Sequence, residues 1–429
     1  MSDSMHREML EATRLTRAGR LTDATALLQR LLRGGRAPDT NFAAANDTTD
    51  VPAGRASRVI DLVPETVEIT HRPSSSGAPQ PSGAESSGAG TAERTAGPRI
   101  AEALRNLVGR VSRARPAMPG LADPSPASHR DVLPDGAQFV AGSYRDRAGS
   151  RAYKLYIPSF YRHGQAVPLV VMLHGCTQSP DDFAAGTRMN ALAEEHTCLI
   201  VYPAQAAAAN ASKCWNWFSP GDQRRGHGEP ALIAGITRRI MRDYSVDRQR
   251  VYVAGLSAGG AAAAIMGATY PDLYAAIGVH SGLACGAASD LPSAFAAMRQ
   301  ATRVPINRAG DASGAAGFRR GVPTIVFHGD QDTTVHPGNG DAVIARAKET
   351  TAPDLRLSVQ HGRVPGGHAY SRTVQHDASG RAILEQWVIH GAGHAWSGGS
   401  PAGSYTDPRG PDAAREMLRF FLEQPLPTG

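Results

Sequence analysis

The sequence predicts an α/β fold: a mostly parallel sheet, covered by helices on both faces and edged by antiparallel strands. Three observations carry this. Strand-like and helix-like stretches alternate from about residue 131 onward. Pro168-Leu169-Val170-Val171-Met172-Leu173 is apolar without a break, the pattern of a strand buried on both faces. And Val251-Tyr252-Val253-Ala254 runs into Gly255-Leu256-Ser257-Ala258-Gly259-Gly260 and then an alanine-rich stretch, which reads as strand, sharp turn, helix.

The elements follow in order. Gln138–Tyr144 and Arg151–Ile157 alternate around Asp146-Arg147-Ala148-Gly149-Ser150, a β-hairpin that supplies the antiparallel edge. After the buried strand come a helix over Asp182–His196, a strand at Leu199–Tyr202 and a helix over Pro230–Tyr244. The strand Arg250–Ala254 leads to Ser257. Strands are then expected at Ala276–Val279 and Thr324–Phe327, with a loop-rich insertion between them. A helix at Asp341–Lys348, strands at Leu355–Val359 and Ile383–Ile389, and a closing helix at Asp412–Leu422 complete the domain.

Ahead of this folded domain, taken as 131–425, the chain changes character twice. Residues 1–34 are helical in pattern, with Leu10, Leu15, Leu21, Leu27, Leu28, Leu31 and Leu32 forming an apolar side and a break at Gly19. Residues 35–130 are rich in Ser, Gly and Pro, as in Pro73-Ser74-Ser75-Ser76-Gly77. That composition cannot bury enough apolar surface to offset its ordering entropy, so a disordered linker is expected, with one weak helix near 100–111.

Hydrophobic residues make up 41% of the 429, enough for a real core. The formal charge of +6 comes from arginines scattered along the chain, which reads as a solvated surface rather than a nucleic-acid site. No stretch is long and apolar enough to span a membrane. Met1 to Gly34 has the charge pattern of no secretory signal, so the expectation is cytoplasmic, with extracellular as the alternative. Of Cys176, Cys198, Cys214 and Cys285, none forms a C-x-x-C pair, which argues against a zinc or thioredoxin-type site. Cys198 lies in an expected buried strand. The other three lie in loops, where a disulfide requires an oxidising compartment.

The chemistry centres on Ser257. Glycines on either side let strand and helix approach closely, and the helix N-terminus behind the serine favours developing negative charge. A serine hydroxyl needs a general base, and the base needs an orienting acid. In a strand–turn–helix serine hydrolase the acid precedes the base in the chain. His328-Gly329-Asp330-Gln331-Asp332 offers two acids. Asp332 is favoured because it lies beyond the tight turn, leaving Asp330 to bond backbone amides. His390-Gly391-Ala392-Gly393-His394 offers two bases, and His394 is favoured because His390 adjoins the strand. The oxyanion hole calls for two backbone N–H groups. Ala258 supplies one, and His174-Gly175-Cys176-Thr177-Gln178 the other, with Cys176 preferred and Thr177 next. The aromatic patch Cys214-Trp215-Asn216-Trp217-Phe218, with Trp396 beside the base, is either a core anchor or a substrate-contacting wall. Trp215, Trp217 and Trp396 are the substrate-binding candidates.

These stretches, together with Gly393-His394-Ala395-Trp396-Ser397-Gly398-Gly399, resemble the poly(3-hydroxybutyrate) depolymerase-like serine esterases, relatives of feruloyl and acetylxylan esterases. The resemblance covers about residues 135–425. It implies an α/β-hydrolase fold, a Ser257–His394–Asp332 triad that cleaves carboxylic esters through an acyl-enzyme, an ester or polyester substrate, and no metal or organic cofactor. The absence of a recognisable signal favours stored polyester, its oligomers, or small esters over an extracellular crystalline polymer. Helices at residues 5–34 make polyester-granule association an expectation. A serine peptidase and an inactive binding protein are the rival readings.

Overall fold

The computed structural model describes residues 133–301, 321–351 and 354–427. The helical segment 1–34 and the linker 35–130, with its helix near 100–111, lie outside the described residues. Among the described residues, one sheet has ten strands: β1 (Gln138–Asp146), β2 (Gly149–Ile157), β3 (Val167–Leu173), β4 (Leu199–Pro203), β5 (Val246–Leu256), β6 (Ala276–His280), β7 (Thr324–Gly329), β8 (Arg356–Arg363), β9 (Ala369–His376) and β10 (Ala382–His390). The order across it is β1-β2-β4-β3-β5-β6-β7-β10-β9-β8. The stretch from β4 to β10 is parallel. The hairpin β1–β2 is antiparallel to β4, as the alternating pattern predicts. The opposite edge is a second antiparallel unit, β10–β9–β8. Its middle strand was not expected from sequence, because among its residues only Val374 is buried and no apolar alternation marks it.

The unbroken apolar run in β3 has a simple cause. Leu169, Val171 and Leu173 enter one core cluster, while Val170 and Met172 enter the other, so both faces of the strand are buried. Helices α3 (Gly228–Asp243) and α4 (Ala258–Thr269) cover the first face through Ile233, Ile236, Ile240 and the alanines 261–264. On the second face lie α1 (Pro180–Thr187), α2 (Met189–His196) and α7 (Ala413–Leu422), through Phe183, Met189, Leu192, Met417 and Phe421. The helix expected over 182–196 is thus two helices. Arg188 at φ 57° caps one and opens the next.

The insertion before β7 contains an unexpected helix, α5 (Leu291–Arg299). Asp290 caps it in a reciprocal box with Ser293, with proline in the first turn. Helix α6 (Gly338–Lys348) follows β7. Beyond β10 the chain forms a short parallel pair, β11 (Trp396–Ser397) with β12 (Thr406–Asp407). No helix among the described residues is long and apolar enough to cross a membrane.

Candidate active site

Strand β5 delivers Ser257 to the C-terminal edge of the sheet, where open α/β sheets bind ligands. Its backbone is at φ 58°, ψ −120°, a region that non-glycine residues rarely occupy. The neighbours hold it there. The Ser257 N–H donates to the His280 carbonyl at 2.9 Å. A Cβ at Gly255 would sit 2.3 Å from the backbone of Gly259, and one at Gly259 would sit 2.0 Å from the Leu173 carbonyl oxygen. The two glycines are therefore required for β3, β5 and α4 to meet at the turn.

Both acid–base candidates turn out to be paired. His394 Nδ1 lies 2.7 Å from Asp332 Oδ2, and His390 Nδ1 lies 3.0 Å from Asp330 Oδ2. The Asp332 carboxylate is buried and fully engaged. Its Oδ1 accepts the N–H groups of Thr334 and Val335 at 2.9 and 2.8 Å, and His328 Nε2 approaches Oδ2 at 3.3 Å. Burial works to raise this carboxyl, but the hydrogen bonds and charge of His328 and His394 outweigh it and hold it far below the usual carboxylate range. Bonded through Nδ1, His394 presents Nε2 elsewhere, and it lines the same cleft as Ser257. Asp330 accepts the Gly391 N–H at 2.7 Å, the turn-bonding role expected of it.

The loop after β3 is tied from every side. The Gly175 carbonyl accepts from buried His174 Nδ1 at 2.8 Å, and the Gly175 N–H donates to Gln178 Oε1 at 2.8 Å. His174 Nε2 accepts the Gln205 N–H at 3.1 Å, so its tautomer is fixed with the proton on Nδ1. Burial pushes this imidazole down to about 4. The Thr177 N–H is taken by the Ser212 carbonyl at 2.7 Å, which leaves Cys176 the better oxyanion candidate on this loop. Cys176 and Ala258 both line the cleft. Ala258 is the first residue of α4, where an N–H has no acceptor within its own helix. Cys176 is disulfide-bonded to Cys214, which joins this loop to the tryptophan-bearing segment. Cys198 is buried, as expected.

The cleft encloses roughly 880 Å³, counting its open mouth. Its wall is almost wholly apolar: Trp217, Phe218, Leu283, Leu291, Phe295 and Met298 among others. Of the three tryptophans expected to touch substrate, only Trp217 lines it. Trp215 is fully buried and donates its indole N–H to the His174 carbonyl at 3.1 Å. Trp396 is buried too, stacked on His280 at 5.0 Å and edge-on to Phe183. Both are core anchors, because a large aromatic ring in a loop is stabilised most by burial. Sequence reading missed α5 and Tyr405 as cleft-lining elements. The signal for α5 was present in Asp290, Pro292 and the helical spacing of Leu291, Ala294, Phe295 and Met298.

Comparison with known proteins fits this geometry. A family model described as Esterase PHB depolymerase matches residues 151–350. Poly(3-hydroxyalkanoate) depolymerase C of Paucimonas lemoignei is 35% identical over 230 residues, 53% of this chain and 54% of that protein. Feruloyl esterase B of Thermothelomyces thermophilus is 28% identical over 208 residues, 46% of this chain and 70% of that one. The chain thus spans about half the length of the depolymerase it matches. Among solved structures, the acetyl xylan esterase from Aspergillus awamori superposes with a TM-score of 0.52 at 20% identity, covering 67% of this chain and 99% of that one. That likeness establishes the α/β-hydrolase fold.

Proposed function

We propose, from the match of residues 151–350 to the family model described as Esterase PHB depolymerase, that the protein is a serine-dependent carboxylic ester hydrolase. Its substrate in this reading is poly(3-hydroxybutyrate) or its oligomers. The observation that carries the reading is the convergence of Ser257, on its strained turn, and His394, backed by Asp332, on one apolar cleft.

The chemistry follows from the roles. His394 Nε2 takes the Ser257 hydroxyl proton as Oγ attacks the ester carbonyl carbon. Asp332 holds the imidazole tautomer and stabilises the imidazolium. The Cys176 and Ala258 N–H groups receive the oxyanion. His394 returns the proton to the departing alcohol, leaving an acyl-Ser257, and water activated by the same histidine releases the acid. A cleft wall of hydrocarbon and aromatic groups suits an aliphatic polyester better than an acetylated sugar, whose hydroxyls need polar partners. A small-ester or feruloyl-type esterase is the second reading, since an aromatic acyl group also fits such a wall.

The Cys176–Cys214 bond supports an oxidising, extracytoplasmic compartment over the cytoplasmic expectation. Mass analysis of unreduced protein from native cells checks this, and two free thiols at these positions would return the reading to the cytoplasm. Granule association through residues 5–34 belongs to the same proposal. It fails if removal of 1–34 leaves granule binding intact. The deciding assay for the activity is release of 3-hydroxybutyrate from amorphous granules, beside hydrolysis of methyl ferulate and p-nitrophenyl butyrate, with Ser257→Ala as the blank. Activity on the small esters alone would remove the polyester reading.

A further inference from the structure

The strap between β11 and β12 carries Tyr405, which lines the cleft and whose backbone stands at φ 53°. A bulky residue in that region is strained unless its neighbours enforce it. Here they do. The Tyr405 carbonyl accepts the Trp396 N–H at 2.7 Å. Preceding it, Ser404 is pinned to Asp182 through its N–H at 2.9 Å and its hydroxyl at 2.6 Å, and its carbonyl accepts from Gln178 Nε2 at 3.0 Å. Gly403 packs so closely on Gly186 that a Cβ there would lie 2.4 Å from its backbone. The strap is built to hold the tyrosine in this position.

The phenol then meets a second non-glycine residue at positive φ, Thr177 at 67°. The two hydroxyl oxygens are 3.2 Å apart. Thr177 Oγ1 donates its one proton to the Cys176 carbonyl at 2.6 Å, so the Tyr405 hydroxyl is the donor between the pair. At 3.2 Å that bond is long for O–H···O, where about 2.7–2.8 Å is usual. The phenolic proton is therefore weakly held and can turn to another oxygen. Among the described side chains lining the cleft, hydroxyls come from Ser257, Thr334 and Tyr405. Of these, Tyr405 is the one hydrogen-bonded to the loop that carries the Cys176 oxyanion donor, through Thr177.

The geometry points to Tyr405 as a substrate-positioning residue whose hydroxyl donates to a second carbonyl of the substrate, the one in the ester unit adjoining the scissile bond. A chain of hydroxy-acid units presents such a carbonyl at every repeat, whereas a simple alkyl or aryl ester has none. Tyr405 thereby selects oligoesters over monoesters. The inference rests on the esterase reading given above and adds a named residue for its substrate preference.

The test compares kcat/KM for the linear trimer of 3-hydroxybutyrate with that for p-nitrophenyl acetate, in wild type, Tyr405→Phe and Thr177→Val. One neutral hydrogen bond corresponds to a change of roughly fivefold to tenfold. Tyr405→Phe is expected to lower the trimer-to-acetate ratio by about that factor, chiefly through KM. Thr177→Val, which keeps the phenol and frees its proton, is expected to hold or raise the ratio. A ratio unmoved by Tyr405→Phe overturns the inference, as does an equal fall in Thr177→Val, which would mark the pair as a structural link. Wild type that cleaves the acetate but not the trimer also overturns it. Wild type that cleaves neither ester defeats the esterase reading itself.

Discussion

Two aspartate–histidine pairs lie side by side in this molecule, with nearly the same sequence separation. Asp332 and His394 are 62 residues apart, and Asp330 and His390 are 60 apart. The outer pair even completes a serine relay. His390 Nε2 lies 2.8 Å from Ser371 Oγ, so Asp330, His390 and Ser371 have the connectivity of a triad. What separates the two is their surroundings. The Asp332 and His394 side chains are 0% and 8% exposed, and Ser257 sits on a strained turn in the cleft that His394 also lines, beside two candidate oxyanion donors. Asp330 and His390 are 33% and 42% exposed, and Ser371 sits within β9, opposite His361, whose Nδ1 is 2.9 Å from the same hydroxyl. Connectivity alone does not make a nucleophile. Burial, a pocket and donors aimed at the developing charge distinguish the site from the relay.

The sharpest way to break this comparison is to remove each serine. Ser257→Ala is expected to lower ester turnover by at least about 10⁴-fold, and Ser371→Ala to leave it within about twofold. A fluorophosphonate probe followed by peptide mapping should label Ser257 and spare Ser371. Label on Ser371 would show that the exposed relay is reactive after all. The acids should divide the same way. Asp332→Asn is expected to cost about 10⁴-fold in kcat by disturbing the histidine tautomer, whereas Asp330→Asn perturbs only the outer pair with His390 and the turn bond from Gly391. If Asp330→Asn proved the more damaging change, the roles of the two pairs would have to be exchanged.

The sequence could narrow this choice but not settle its cause. Ser257, Asp332 and His394 were legible because each sits in a glycine-flanked segment at a strand end, where spacing and chain order carry information. That each aspartate has its own histidine was not legible, since it depends on how β7 and β10 lie side by side in the sheet. The tryptophans show the opposite failure. Trp215, Trp217 and Trp396 are all buried, and what tells them apart is that Trp217 lines the cleft. Composition reports that a loop is aromatic, while the packing of His174 and His280 decides which ring faces the cleft and which supports it. Strand β9 was hidden because both its faces are half-buried, so no apolar period marks it. Tyr405 gave no signal because positive φ at a non-glycine residue leaves no trace in sequence.

The burial that marks the inner site extends behind it to His174, and this predicts a pH dependence of stability. Desolvation lowers this imidazole from an ordinary 6.5 to about 4; its bond to the Gly175 carbonyl opposes the shift, nearby Lys213 adds to it, and Asp182 opposes it. A histidine whose folded value is depressed stabilises the fold fully above 6.5. That stability is lost as pH falls from 6.5 towards 4, because the unfolded chain takes up a proton the folded one refuses. Asp332 acts in a lower window, stabilising above the ordinary carboxylate value and losing its contribution as pH falls through its depressed one. Urea unfolding at pH 7, 5.5 and 4 should show a decline over that range, and His174→Asn, which has nothing to titrate there, should flatten it. An unchanged slope in the variant would locate the acid sensitivity elsewhere.

The smallest expected effect tests the outer relay from its own side. Ser371 bridges His361 and His390 on half-exposed strands, where water competes for every hydrogen bond. Surface pairs of this kind contribute at most about 1 kcal/mol. Ser371→Ala is therefore expected to shift the unfolding free energy by less than about 1 kcal/mol, since solvent can replace the lost hydroxyl on both imidazoles. Chemical denaturation at pH 7 measures this directly. A loss of several kcal/mol would mean that the β8–β9–β10 edge depends on the relay as the inner site depends on its buried aspartate, and exposure would then no longer distinguish the two pairs.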